Sequence, residues 1–112
     1  MTDYAAVLTA NYPDAEWSLN GDDYSGLTWH SDTPKPTKKA LDEAWPAVRD
    51  ARAWAQVRAE RDRLLADCDW TQVADAPLSA AVKQAWADYR QALRDVPQDF
   101  DSPDDVVWPE AP

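Results

Sequence analysis

Cysteine occurs once in these 112 residues, histidine once and glycine twice. A single cysteine, Cys68, excludes an intramolecular disulfide. With His30 the only histidine, neither Cys-x-x-Cys nor His-Glu-x-x-His exists, so the zinc-binding spacings are missing. The two glycines, Gly21 and Gly26, fall in one short segment and cannot build a Gly-rich phosphate cradle. No apolar run approaches the ~18 residues that mark a membrane span. Basic residues are scarce: 11 Lys and Arg stand against 21 Asp and Glu, for a net charge of −10. That balance argues against a nucleic-acid backbone or an anionic membrane as partner, because both need clustered cations. It suits a basic protein surface. Met1-Thr2-Asp3-Tyr4 lacks the basic and apolar regions of a secretion signal, so a cytoplasmic chain is expected.

What is abundant is tryptophan. Trp17, Trp29, Trp45, Trp54, Trp70, Trp86 and Trp108 are spread over nearly every segment. Large rings can fill a thin core, and they also dominate binding hot spots. The spacing of the other apolar residues separates the two uses in the middle of the chain. Trp54, Val57, Arg61, Leu64 and Cys68 recur at alternating intervals of three and four, which places them on one face of a helix over 46–68. Val82, Trp86, Tyr89, Leu93 and Val96 repeat the pattern over 79–95. The short connection between them predicts an antiparallel helical hairpin, each stripe covering the other. Trp54, Val57, Leu64, Trp70, Trp86, Tyr89 and Leu93 are its expected core, with Trp70, Val73 and Leu78 plugging the open end. Cys68 lies on the stripe and reads as a small buried hydrophobe. Arg61 also lies on it, and is expected to reach Asp88, Asp95 or a carbonyl of the 69–78 connection.

The N-terminal part reads differently. Residues 3–10 suit a short helix with Thr2 as N-cap. Trp17 and Leu19 alternate on one arm, and Leu27 and Trp29 on another, around Asn20-Gly21, the strongest short turn signal. A β-hairpin over 15–31 follows. Pro34 and Pro36 mark a linker, and Thr37 caps a helix over 38–44. Trp45-Pro46 is expected to interrupt that helix, because the residue before proline disfavours the α region. Ser79 caps the last helix and Val96-Pro97 stops it. From Gln98 on, Asp99, Asp101, Asp104, Asp105 and Glu110 meet no basic residue, and Pro103, Pro109 and Pro112 break regular structure. This is an extended acidic tail with Val106, Val107 and Trp108 as anchors. Trp108 is expected to dock in an apolar pocket of its own domain or of a partner.

No catalytic constellation emerges. One His and one Cys cannot be assembled into a nucleophile–base set. Asp22 and Asp23 read as a turn. The stretch Asp99 to Asp105 lacks the central Gly and final Glu of a calcium loop. No enzyme activity, cofactor or metal is predicted.

The second half carries a set of motifs in order: Arg61-Asp62-Arg63-Leu64-Leu65, Cys68-Asp69-Trp70-Thr71, Asp75-Ala76-Pro77-Leu78, Trp86, Tyr89-Arg90, Leu93-Arg94-Asp95, Pro97 and Trp108-Pro109. It resembles the phage tail assembly chaperone domain over about 57–112. The first half, through Pro34-Lys35-Pro36-Thr37 and Trp45-Pro46, is similar to small phage tail proteins over 1–56, although Ala40-Leu41 stands where many of those have Glu-Leu. The resemblance implies a chaperone that binds a phage tail or tail-fibre protein in the host cytoplasm during assembly. Its alternative is a structural component of the virion at the tail tip, collar or fibre base. An acidic inhibitor of a host nucleic-acid enzyme is a third class. It would need carboxylates in two rows on one rigid face, whereas here they cluster in turns and a tail.

The expected fold is α+β: a small N-terminal β-hairpin packed on an antiparallel helical hairpin, with the acidic Pro-rich tail extended beyond it. The expected divisions are 1–45, 46–97 and 98–112 within one compact unit. The candidate partner-binding residues are Trp108, Pro109, Val107, Asp104 and Asp105, then Trp29 and Tyr24 on the hairpin. The expected partner is a tail or tail-fibre protein, with a homo-oligomer as a second option. Neither nucleic acid nor membrane is expected.

Overall fold

The computed structural model describes residues 1–112, and the chain divides into two compact units, Met1–Ala51 and Arg52–Pro112. Unit 1 opens with α1, Tyr4–Asn11. Its N-cap is Asp3, one residue beyond the expected Thr2, and the Asp3 carboxylate accepts from the Ala6 N–H at 3.0 Å. Two short strands follow, β1 at Trp17–Leu19 and β2 at Leu27–Trp29. They pair antiparallel with Trp17 opposite Trp29 and Leu19 opposite Leu27, so the large apolar residues stack across the ladder. Both glycines serve the connection. Gly21 has φ +84°, where a Cβ is strained, and a Cβ on Gly26 would run into the Asn20 carbonyl oxygen. A 3-10 turn at Tyr24–Gly26 completes the loop.

The long helix α2 runs from Lys38 to Asp67, capped by the Thr37 hydroxyl, which accepts from the Ala40 N–H at 3.1 Å. Pro46 lies inside it, and the expected interruption at Trp45-Pro46 does not occur. Leu41 and Val48 are both buried in the core of unit 1, with Ala44 and Trp45 packed beside them. This stripe continues across the proline, and its burial offsets the roughly 3 kcal/mol that an interior proline costs. The boundary between units falls at Ala51, inside α2 and five residues past the Trp45-Pro46 corner.

The core of unit 1 is Tyr4, Val7, Leu8, Leu27, Leu41 and Val48. The β-hairpin therefore packs on α1 and on residues 38–51 of α2. The hairpin brings Trp17, Leu19, Tyr24 and Trp29 to that core as a partly buried aromatic and apolar rim.

In unit 2, α2 ends at Asp67, a 3-10 turn spans Asp69–Gln72, and α3 spans Ala80–Asp99. Ser79 caps α3 as expected, its hydroxyl accepting from the Val82 N–H at 3.2 Å. Pro97 is carried within the last turn of α3, which ends at Asp99, two residues past the stop expected at Val96-Pro97. Cys68, Tyr89 and Leu93 form the buried cluster, with Leu64, Leu65, Trp86 and Trp108 packed against it.

Candidate partner-binding surfaces

The connection between α2 and α3 is built around one buried hydroxyl. Thr71 is fully buried and its Oγ1 donates to the Cys68 carbonyl at 2.6 Å. Gln72 Nε2 donates to Thr71 Oγ1 and to the Lys83 carbonyl, and Lys83 Nζ donates to the Val73 carbonyl at 2.9 Å. These bonds tie the turn to the start of α3. With Thr71 turned inward, its neighbour Trp70 is turned out.

Trp70 is 51% exposed, which removes it from the expected core. One side of its ring meets Trp86, centroids 6.4 Å apart, and Trp86 in turn meets Tyr89 edge-on at 5.7 Å. Val82, one turn before Trp86 on α3, is 42% exposed, and Val73 is 49% exposed. Trp70, Val73, Val82 and half-buried Trp86 thus give unit 2 an open apolar face. The spacing predicts Val82 on the packed stripe and Trp70 and Val73 in the plug; a 3.6-residue period marks a helix face without saying what covers it. The remaining core expectations divide. Tyr89 and Leu93 are buried, and Leu64 and Trp86 rim the cluster, whereas Trp54 and Val57 are half-buried and belong to neither core.

Beside this face stands Arg90. Its Nη1 donates to the Leu65 carbonyl at 2.8 Å and to Cys68 Sγ at 3.2 Å, while its Nη2 donates to Asp69 at 2.7 Å. Burial alone would lower its pKa, but the bonds to Asp69 and Cys68 outweigh it and raise the guanidinium above its ordinary value. This is the bridge from helix to connection that was expected of Arg61. Arg61 instead pairs with its own neighbour Asp62 at 3.0 Å. Burial also pushes the Tyr89 phenol upward.

The tail is anchored at one residue. Ser102 Oγ accepts from the Asp104 N–H, starting a 3-10 turn over Pro103–Asp105. Trp108 then packs on the Cys68, Tyr89 and Leu93 cluster. Pro109 is half-buried, Asp104 and Asp105 are exposed, and Val107 is 71% exposed. The structure thus leaves Val107 and the two carboxylates open and turns Trp108 toward its own unit.

The hairpin candidates lie in unit 1, with their polar ends engaged. Trp29 Nε1 donates to the Thr33 carbonyl at 2.7 Å and its ring meets Tyr12 edge-on. The Tyr24 hydroxyl donates to the Pro36 carbonyl at 2.6 Å, and Lys35 Nζ sits 4.9 Å over its ring. His30 bonds Ser18 on the exposed side of the ladder at 3.0 Å. In the same unit, Asp42 accepts from the Tyr4 hydroxyl at 2.8 Å and from Lys38 at 2.9 Å. The bond from Lys38, then those from Tyr4 and Thr2, hold its carboxyl down to about 2. No group of three or more His, Cys, Asp or Glu side chains gathers where a metal ion would sit.

The family model described as phage tail assembly chaperone protein matches residues 54–112, more than half of the chain. The chain belongs to the phage tail assembly chaperone family. The chaperone-family segment begins two residues after the start of unit 2 and runs to its end, so sequence family and structural unit coincide. The open apolar face, the Arg90 bridge and the Trp108 anchor all lie inside it. The family description names assembly and chaperoning, a binding role rather than a reaction. Neither a curated protein nor a solved structure matches the chain. No helix is long and apolar enough to cross a membrane.

Proposed function

We propose that this protein is a tail assembly chaperone that binds a phage tail or tail-fibre protein through non-covalent contacts on unit 2. The observation that carries the reading is that the chaperone-family segment coincides with a unit holding Trp70, Val73 and Val82 open to solvent. Unassembled tail and fibre subunits present apolar surface that aggregates. An apolar face on a strongly acidic protein covers such surface while keeping the complex soluble and steering it toward a basic patch. Val107, Asp104 and Asp105 extend the contact along the tail, and Trp108 and Pro109 hold that tail in place. Trp29 and Tyr24 support unit 1 from within.

The test is co-expression of each tail and tail-fibre protein of the parent phage with and without this chain. One of them is expected to become soluble and to co-purify, and Trp70→Ala is expected to abolish the rescue. If no tail or fibre protein gains solubility or co-purifies, the reading fails. Quantitative mass spectrometry of purified particles against infected-cell lysate then separates the roles. A chaperone is abundant in the lysate and missing from particles. Recovery in particles at a fixed ratio to a tail protein identifies a structural component of the virion.

A further inference from the structure

Unit 1 lies outside the chaperone-family segment, and it contains a hollow of its own. A groove of about 530 Å³ opens between the start of α1 and the hairpin, walled by Tyr4, Trp17 and Leu19 and edged by Asp3 and Asp22. It adjoins a second hollow of about 370 Å³ that shares Thr2, Tyr4 and Asp22 and adds Asp23, Lys38 and Asp42. The volume is in the range of sites that enclose a side chain or small ligand.

The charges on its rim are unequal in kind. Asp42 is engaged by Tyr4 and Lys38, and Asp3 caps α1. The rim carries two ammonium groups, the Met1 N-terminus and Lys38, and that of Lys38 is committed to Asp42. Asp22 and Asp23 make no side-chain hydrogen bond or ion pair within the chain; Asp23 precedes the 3-10 turn without capping it. Gly21, next to Asp22, has no atom within 4 Å of where a Cβ would stand, so the wall is open there. An apolar groove walled by aromatic rings, with two unpaired carboxylates at its mouth, matches one side-chain chemistry above others. A guanidinium stacks flat on an aromatic ring and takes a carboxylate through its paired N–H groups.

We propose that this groove is a second docking site, which takes an arginine side chain presented by a basic polypeptide segment. Its stem lies along Trp17 and Leu19, and its guanidinium meets Asp22 and Asp23. The site is independent of the apolar face on unit 2. The proposal does not depend on the partner being a tail protein.

The test uses the full chain and an acetylated, amidated tetra-arginine peptide, followed by the indole N–H signals in NMR. The Trp17 signal is expected to shift on titration while the Trp70 and Trp108 signals stay in place. Asp22→Asn with Asp23→Asn is expected to weaken binding about tenfold, and Asp104→Asn with Asp105→Asn to change it less than about twofold. Both pairs are exposed, so neither change threatens the fold. Equal weakening by the two double variants, or a titration that leaves Trp17 unmoved, would show diffuse attraction to an acidic protein and overturn the proposal. Tight binding by a tetra-lysine peptide that also leaves Trp17 unshifted would overturn it in the same way.

Discussion

Unit 1 and unit 2 are of similar length, yet they bury different things. Unit 1 closes around aliphatic residues: Val7, Leu8 and Leu41 are fully buried, and the rings of Tyr12, Trp17, Tyr24 and Trp29 lie around them, those of Tyr24 and Trp29 with their polar ends bonded to backbone carbonyls. Unit 2 buries two aliphatic residues, Leu93 and Val96, together with Cys68 and Tyr89, and leaves Trp70, Val73 and Val82 largely open. The difference follows from the number of layers. In unit 1 a helix, a hairpin and the start of α2 enclose one centre from several sides. In unit 2 the end of α2, α3 and a tail anchored by Trp108 cover their stripes over part of their length, and the rest of the apolar surface has no cover in the chain. That open surface is the observation on which the proposed partner contact rests.

The comparison breaks most sharply on core truncation. Leu41→Ala should destabilise unit 1 by about 2–5 kcal/mol. Hydrogen exchange should show the loss in amides of residues 4–48 while those of α3 keep their protection. Uniform loss across the chain would mean the two units open as one. Arg90→Met keeps the stem but removes the guanidinium bonds to the Leu65 carbonyl and the Asp69 carboxylate, and should cost unit 2 about 1.5–3 kcal/mol in denaturant titration. Trp108→Ala removes a half-buried ring and should cost about 1–2 kcal/mol. Its clearer sign is proteolysis, with cleavage appearing between Phe100 and Pro109 while the rest of the chain resists.

The pH response should separate the units too. Asp42 is held near 2 in the folded state against an ordinary 3.8, so its contribution to unit 1 is complete above about 4 and is lost as the pH falls toward 2. Asp42→Asn should flatten the acid limb of unit 1 monitored by the Tyr4 and Leu41 signals. An unchanged limb would assign acid unfolding to other carboxylates. The smallest effect on stability is expected where the largest effect on binding is expected. Trp70→Ala should move the unfolding midpoint by no more than about 0.5 kcal/mol in equivalent stability, while weakening capture of the tail protein about tenfold or more.

Much of the local structure was legible in the residues. Asn20-Gly21 placed the hairpin, and Ser79 and Thr37 placed two helix starts, because these signals act through φ preferences and hydroxyl acceptors within a few residues. The error at Trp45-Pro46 shows where that logic stops. The local penalty of proline is real, but Leu41 and Val48 sit on one core and carry the helix through it. The candidate surface was legible in part. Val107, Asp104 and Asp105 are exposed; Trp70, assigned to the core, looks outward, and Trp108 is docked on its own unit, one of the two dockings expected for it.

By itself the sequence determined the charge of −10, the lack of a zinc-binding spacing, the hairpin turn, the helix caps and the family signature, all of which are properties of composition or of neighbours along the chain. Tertiary structure alone decided which tryptophans are covered, which arginine bridges α3 to the connection, and that the hairpin rests on α1 and the start of α2. A stripe of apolar residues specifies that a face must be buried. What buries it depends on elements distant in sequence, and a ring such as Trp70 is left open when the nearer position is taken by Thr71 with its hydrogen bond satisfied.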